Sequence, residues 1–387
     1  MFSTDKPITN AEDDKLGRSG FAERLAKAII NFDTADSYAI ALQGSGGCGT
    51  TSVLNMAIQK IEETTDKKTV IIKFNPWNFT TTGQLIDQFF ATMSSKLKLS
   101  EGDERLQKVG GLIEKYSSVL EYTQYIPVVG PYLDVVKNLA KAAGKEIKET
   151  ADKKLHDATI QKAKIEGALK EIDFQILVVI DDIDRLPNDQ IRLIFQLVNS
   201  VAGFPHMVYL LSYDKDIVAR ALDDVQGYRG AEYLEKIIQV PFDLPPIDKY
   251  RVRSILKDEL EKIRNIPNSV EVDSAHWEQI FGYCIGPIVT SLRDVKRFCN
   301  VLSFSYAAVK PEVDFSDMAG ITAIKVFAPT IYEWIYANRM SLAGGYRGGA
   351  IALSGVKDYR AEMKRIAERI YPDDPEYMLD ALACLFP

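Results

Sequence analysis

A glycine-rich segment, QGSGGCGTTS at residues 43–52, carries residue types that could bind phosphate. Glycines let a backbone curl around an anion with its N–H groups pointing inward, and the start of a following helix adds a favourable field for negative charge. The segment fits GxxxxGK(S/T) except that Thr50 stands where the pattern has lysine. The alternative is a glycine-rich turn between a strand and a helix that holds no ligand.

The missing lysine predicts a weakened phosphate site. Loss of one charge-assisted contact costs about 1.5–3 kcal/mol, or roughly ten- to a hundredfold in affinity. Loss of a donor that stabilises the transition state slows a reaction by about 10²–10³. The backbone and a Mg²⁺ ion on the Thr51 hydroxyl could still hold a nucleotide. The candidate phosphate-binding residues are Gly44, Ser45, Gly46, Gly47, Cys48, Gly49, Thr50, Thr51 and Ser52.

A second segment, QILVVIDDIDRL at residues 175–186, places carboxylates directly after an apolar run. Asp181 stands where nucleotide-hydrolysing proteins hold Mg²⁺ and its water shell. Asp182 is the first candidate for the base that polarises the attacking water, and Asp184 is the second. The alternative is that these acids only end a strand, where Asp is common. Both segments are expected at the carboxyl edge of one sheet, where ligands of open α/β folds bind.

Three further segments carry weaker signals. SYD at 212–214 ends another apolar run and could read a γ-phosphate or simply meet solvent. Arg293, Lys296 and Arg297 share one helical face by their spacing, which could present a cation to phosphates or be solvated. The aromatic segment FNPWNF at 74–79 is interpreted as packing.

Apolar runs and helical periodicity alternate along the first 247 residues. Strands are predicted at 38–44, 69–77, within 175–186, at 207–214 and at 239–245. Helices are predicted at 51–61, 84–97, 189–201 and 215–223. Strands separated by helices favour a three-layer α/β domain with a parallel sheet.

The remaining residues divide into an insertion and a second domain. Residues 100–170 are charged and mostly helical in pattern, which indicates a helical insertion in the first domain. After Pro245-Pro246 helical periodicity dominates. We therefore predict an α/β domain over 1–247 and a helical domain over 248–387.

Composition and charge narrow the function classes. The chain has 387 residues, 46% of them hydrophobic and 26% charged, with a formal net charge of −7, so nucleic acid and acidic membranes are not indicated as partners. Its four cysteines and three histidines show no metal-ligand spacing. The polar amino terminus is not a signal peptide, and no run approaches the ~18 apolar residues of a membrane span. We expect a cytoplasmic protein.

Taken together, the segments resemble the KAP family of P-loop NTPases. The order of the matching segments is STDKPITNAEDD (3–14), GSGGCGTTS (44–52), FNPW (74–77), VVIDDIDRL (178–186), LLSYDKDIVARAL (210–222), YLEKIIQVPFDLPP (233–246) and SLRDVKRFCN (291–300). The acidic strand end and the basic helix are the more specific parts of this resemblance.

The resemblance implies a sheet in the order 5-1-4-3-2 and a C-terminal helical lid domain. It implies ATP and Mg²⁺ as ligands, an amino-terminal lead-in (Asp5, Lys6 and Pro7) that embraces the base, and a sensor arginine at Arg293. Many family members carry membrane helices between the two motifs, where this chain has its charged insertion, so it would be a soluble form. Bacterial members often occur in phage defence, which suggests a context for this chain.

The sequence departs from the family's usual loop, GxWGxGKTS, at two positions: Gly46 replaces tryptophan and Thr50 replaces lysine. Lys73 is a poor substitute for that lysine, because the implied strand order places it at the far edge of the sheet. Hydrolysis is therefore expected to be slow or absent.

Two function classes remain open, with a third as a weaker option. The leading hypothesis is an ATP-binding switch, with Mg·ATP controlling the lid and with protein partners or self-association. The rival is a nucleotide-free interaction scaffold that keeps the fold. A nucleic-acid motor is weaker, since no stripe of aromatic and basic residues is visible.

Overall fold

A computed structural model describes most of the chain. It covers residues 4–32, 36–64, 69–79, 81–100, 103–121, 145–201, 203–226, 229–265, 272–342, 361, 364–365, 367–369 and 375–386. These residues divide into two compact units, Pro7–Pro245, and Met1–Lys6 together with Pro246–Pro387. Whether each unit folds by itself, as the predicted domains would, stays a prediction.

The first unit is built on a five-stranded parallel sheet. Its strands are β1 (Tyr38–Gln43), β2 (Thr69–Phe74), β3 (Gln175–Ile180), β4 (Met207–Tyr213) and β5 (Val240–Asp243). The order across the sheet is β2-β3-β4-β1-β5, with every neighbouring pair parallel. This is the predicted order 5-1-4-3-2 seen from the opposite edge, so the prediction is confirmed. Proline at position 241 lies on an edge strand, where a missing N–H is tolerated.

Helices cover both faces of this sheet. They are α1 (Ser19–Asn31), α2 (Thr50–Glu62), α3 (Thr82–Lys98), α4 (Glu104–Glu121), α5 (Lys145–Leu169), α6 (Asn188–Gln196), α7 (Lys215–Gln226) and α8 (Gly230–Ile237). Side chains of α1 and α2 pack with one set of strand residues, and side chains of α3 to α8 pack with the alternate set. The three-layer α/β architecture is therefore confirmed.

The charged insertion contributes to the core on one face. Val109 and Ile113 of α4 and Ile165 and Leu169 of α5 are fully buried in the same apolar cluster as the sheet. These two helices are amphipathic, so their charged residues face outward while their apolar stripe packs inward. Residues 122–144 lie outside the described part of the chain.

Several predicted boundaries differ from the observed ones for local reasons. β2 ends at Phe74, because Pro76 lacks the N–H that a strand needs and opens a 3-10 turn (Pro76–Asn78). The helix predicted over 189–201 ends at Gln196, and a π-helical turn (Leu197–Val201) follows it.

The second unit is helical in its described part. Its helices are α9 (Lys249–Arg264), α10 (Ser274–Ile280), α11 (Leu292–Val309), α12 (Phe315–Phe327), α13 (Pro329–Ala337), α14 (Arg339–Leu342) and α15 (Pro375–Leu385), with a π-helical turn at Phe281–Ile285. Among the described residues of the whole chain, no helix has the length and apolar character needed to cross a membrane.

Candidate functional site

The glycine-rich loop joins the end of β1 to the start of α2. Gly47 and Gly49 have φ angles of 83° and 95°, in the left-handed region that favours glycine. The N–H of Cys48 donates to the Ser45 carbonyl at 3.1 Å, which closes the turn. A side chain on Gly44 would collide with Cys48 and Thr50, so the loop closes tightly on itself. The sequence therefore forms a strand–loop–helix of the kind that binds phosphate.

The two departures from the family's loop lie in different surroundings. Gly46 is exposed, and a β-carbon added there would meet no atom within 4 Å, so no local crowding requires glycine at this position. Thr50 is the first residue of α2 and is half-buried, with its methyl group turned towards Gly44. Ser52 accepts a hydrogen bond from the N–H of Ile8 at 3.3 Å, which holds the amino-terminal segment against α2.

Thr51 and Asp181 meet although they are 130 residues apart in sequence. The Thr51 hydroxyl donates to Asp181 Oδ2 at 2.7 Å, and the backbone N–H of Asp182 donates to Asp181 Oδ1 at 2.9 Å. Burial raises the pKa of Asp181, and hydrogen bonds from the Thr51 and Ser212 hydroxyls oppose that rise. A partly buried carboxylate held by neutral donors, beside a threonine hydroxyl, fits a hydrated Mg²⁺ ion, which takes oxygen ligands.

Asp182 is held at both of its carboxylate oxygens. Arg185 forms an ion pair with Oδ1 at 2.8 Å, and the side-chain amide of Asn75 donates to Oδ2 at 3.2 Å. The backbone of Asp182 has a φ of 60°, which is uncommon for a residue other than glycine. The carboxylate of Asp182 is therefore engaged by a cation and an amide.

Asp184 lies among other acids at the strand ends. Burial raises its pKa, and the charges of Asp182 and Asp214 add to that rise. A carboxyl group whose pKa is raised towards neutrality is better suited to accept a proton from water than an ordinary aspartate is. The role of Asp184 as the second base stays a prediction.

Asn75 is a site residue that sequence reasoning missed. The segment FNPWNF was interpreted as packing, and Phe74 and Phe79 do stack, with ring centroids 5.7 Å apart. Trp77 is 54% exposed, however, and Asn75 reaches Asp182. The available signal was a polar residue directly after a strand, at the same sheet edge as the acids.

The sheet also bears on the predictions for Lys73 and for the segment at 212–214. β4 separates β1 from β3, and β2 lies at the edge with Lys73 exposed, as expected. Of the segment at 212–214, Ser212 faces Asp181 while Tyr213 is buried and accepts from Gln43 Nε2 at 3.2 Å. Tyr213 is thus a core residue.

The basic face of α11 belongs to the second unit. Arg293 Nε donates to Asp5 Oδ2 at 2.6 Å within that unit, and both side chains are about half exposed. Arg297 lies over the ring of Phe327, with its guanidinium carbon 5.9 Å from the ring centroid. The role of Arg293 as a sensor stays a prediction.

One group with metal-ligand chemistry was not visible in the sequence spacing. The ligand atoms of His276, Asp314 and Asp317 lie within 4.8 Å of one another, on neighbouring helices of the second unit. Asp314 caps α12 by accepting from the N–H of Ser316, and Asp317 lies 2.7 Å from His276 Nε2. Helix capping and one hydrogen bond account for this group.

Comparison with known proteins identifies the family. The KAP family P-loop domain matches residues 18–309 of this chain. The chain belongs to the KAP family. The expected family resemblance is thereby confirmed, together with the P-loop NTPase fold.

The individual proteins that match have low sequence identity to this chain. The chain is 25% identical over 349 residues to the Phage T7 exclusion protein of Escherichia coli strain K12, covering 85% of this chain and 47% of that protein. This chain thus spans about half the length of that relative. Among solved structures it is similar to the ORC2 protein of Aeropyrum pernix in ADPNP–ADP complexes, with 16% identity, a TM-score of 0.36 and coverage of 99% and 89% of the two chains. It is also similar to domain III of the Thermotoga maritima replication initiation protein DnaA, with 14% identity, a TM-score of 0.35 and coverage of 84% and 99%.

Proposed function

We propose that this KAP protein is a nucleotide-controlled switch that binds Mg·ATP at the glycine-rich loop and hydrolyses it slowly or not at all. The observation that carries the proposal is the 2.7 Å hydrogen bond between Thr51 and Asp181. It joins the phosphate loop to the acidic strand end across an intervening strand, as a shared metal site requires. A glycine turn without a ligand would need no such pairing.

Different residues would bind the phosphates and the Mg²⁺ ion. The backbone N–H groups of the loop, from Gly44 to Thr51, would bind phosphate oxygens, and the start of α2 would add its favourable field. Thr51 and Asp181 would hold Mg²⁺ and its water shell. The bound ion would supply charge neutralisation for the phosphate oxygens.

Slow hydrolysis follows from two features of this chain. Thr50 offers no charge to the transition state where a lysine would. Asp182, the first candidate base, is paired with both Asn75 and Arg185 and would have to leave them before it could orient water. Asp184 is the alternative base.

The wider setting is also a proposal. We infer that nucleotide binding changes how the chain meets protein partners or further copies of itself, and that Arg293 distinguishes ATP from ADP. The relative named for phage T7 exclusion favours phage defence as the context. The rival function, a nucleotide-free scaffold, predicts no response to nucleotide.

A thermal-shift titration with Mg·ATP separates the two functions. Ligand at a hundred times its dissociation constant stabilises the folded state by about 2.7 kcal/mol. We expect stabilisation of the native protein and a clearly smaller shift for Asp181→Asn. Asp189→Asn is the matched control, since Asp189 is an exposed acid on α6. No shift of the native protein at millimolar Mg·ATP would favour the scaffold.

A further inference from the structure

Arg18 is the only charged side chain that is buried among the residues the structure describes, with 6% of its surface exposed. It directly precedes α1. Its Nη1 donates to the backbone carbonyl of Cys48, in the glycine-rich loop, and its Nη2 donates to the carbonyl of Pro245 at 2.5 Å. A buried guanidinium therefore lies directly against the loop.

This guanidinium has no carboxylate partner within the described part of the chain. Its hydrogen bonds end on two neutral carbonyls. Asp14 is the acid whose field reaches it, but the carboxylate of Asp14 accepts from the N–H groups of Leu16 at 3.0 Å and Ser19 at 2.7 Å. Burial lowers the pKa of Arg18, yet a guanidinium stays protonated at neutral pH. A buried charge without a partner is costly, so an anion bound nearby would be favoured.

The contact with Cys48 also fixes the direction of one loop amide. In a planar trans peptide the C=O and the following N–H point in opposite directions. Because the Cys48 carbonyl faces Arg18, the N–H of Gly49 points to the other side of the loop. A β-carbon on Gly49 would lie 3.4 Å from Nη1, so the charge is only one peptide unit away from that N–H.

We propose that Arg18 is a positioning residue that also serves as the cation of the phosphate loop. It turns the Gly49 N–H towards the phosphates, and from beneath the loop it supplies the positive charge that Thr50 lacks. This inference rests on the proposed function, since it assigns a residue to the same site. The favoured ligand class is a di- or triphosphate, because a charge beneath the loop acts on phosphates in proportion to their charge.

The test compares Arg18→Gln, which removes the charge and keeps a donor, with Arg18→Lys, which keeps the charge. Arg24→Gln is the matched control, because Arg24 is an exposed arginine on α1, the helix that Arg18 precedes. Affinities for adenosine, ADP, ATP and inorganic pyrophosphate are measured with Mg²⁺, and urea unfolding without ligand shows whether each variant folds. We expect Arg18→Gln to bind ATP about tenfold more weakly, because it loses the attraction between the Arg18 charge and phosphates that lie within a few ångströms in a partly buried site. The loss should be smaller for ADP and absent for adenosine, and Arg18→Lys should recover part of it.

Each outcome has a distinct meaning. Equal losses for adenosine and ATP would overturn the inference and assign Arg18 to the base, and no loss at all would make it a structural clamp between the loop and Pro245. If the native protein binds pyrophosphate but not ATP, the proposed nucleotide switch fails, while a pyrophosphate loss in Arg18→Gln still supports Arg18 as the loop's cation. Failure of the folded native protein to bind either ligand contradicts both claims.

Discussion

At the scale of single residues, Asp181 has the surroundings most informative for chemistry. It is a partly buried carboxylate that accepts from a threonine hydroxyl and a backbone N–H. Burial raises its pKa, so the folded protein holds the proton more tightly than the unfolded chain does. The stability that Asp181 contributes is therefore full below its ordinary pKa of 3.8 and is lost as the pH rises through the raised value.

Asp181→Asn should have opposite effects on stability and on binding. Without ligand, the variant should be more stable than the native protein near pH 7, with the difference shrinking towards pH 4, because no buried charge has to form. Mg²⁺-dependent nucleotide affinity should fall by about 10- to 100-fold, as for lost groups around a metal. Urea unfolding across pH and nucleotide titrations with and without Mg²⁺ measure both. Unchanged binding in both titrations would make the acidic strand end purely structural.

The residues of the site were predictable to different degrees. The pairing of Thr51 with Asp181 follows from two motifs in the right order on two strand ends. The contact between Asn75 and Asp182 does not, because it depends on β2 lying beside β3, which no local spacing reveals. The burial of Arg18 could not be predicted from the sequence either, since an arginine before a helix is usually exposed to solvent.

At the scale of elements, the strand–loop–helix from β1 to α2 depends on its glycines unequally. Gly49 has a φ of 95° and faces Arg18, whereas Gly46 has open space around it. Side chains strongly disfavour the left-handed region, at roughly 1–2 kcal/mol per residue. The loop's shape therefore rests on Gly49 more than on Gly46.

Gly49→Ala should destabilise the ligand-free protein by about 1–2 kcal/mol and weaken Mg·ATP binding, because the strained loop relaxes away from its phosphate-binding shape. Gly46→Ala, its matched control in the same loop, should change stability by less than about 0.5 kcal/mol. Urea unfolding and nucleotide titration of both variants provide the comparison. Equal effects of the two substitutions would contradict the assigned loop geometry.

The elements themselves were largely predictable, because the central strands β3 and β4 are continuous apolar runs buried on both faces. The helix after β3 was predicted as one piece, but its hydrogen-bond pattern changes at Leu197, which periodicity does not encode. The packing of α4 and α5 into the core was not predicted either, since their charged residues dominated the sequence pattern.

At the scale of the whole molecule, the two apolar clusters that enclose the sheet draw their residues from one unit. Their members all lie between Ile8 and Leu244. In the sequence, the predicted boundary near residue 247 lies after the last residue of both clusters and after the last strand. We therefore expect the first unit to contain its own folding core.

A fragment of residues 7–245 should fold without the second unit and unfold in one cooperative urea transition, because its core stays complete. Circular dichroism in the far and near ultraviolet, with the full chain as reference, measures this. A fragment that keeps helical signal but loses fixed tertiary packing would show that the predicted domains depend on each other.

The central claim is that this is a nucleotide site weakened chiefly by the missing lysine, and Thr50→Lys tests it most directly. Position 50 begins α2, where lysine is compatible with helical geometry. We expect the variant to fold normally, to bind Mg·ATP at least several-fold more tightly and to hydrolyse it measurably, since regaining one such donor is worth about 10²–10³ in rate. Asp182→Asn in that background should abolish turnover if Asp182 is the base. A folded Thr50→Lys protein whose ATP affinity and turnover both match those of the native chain would contradict the account.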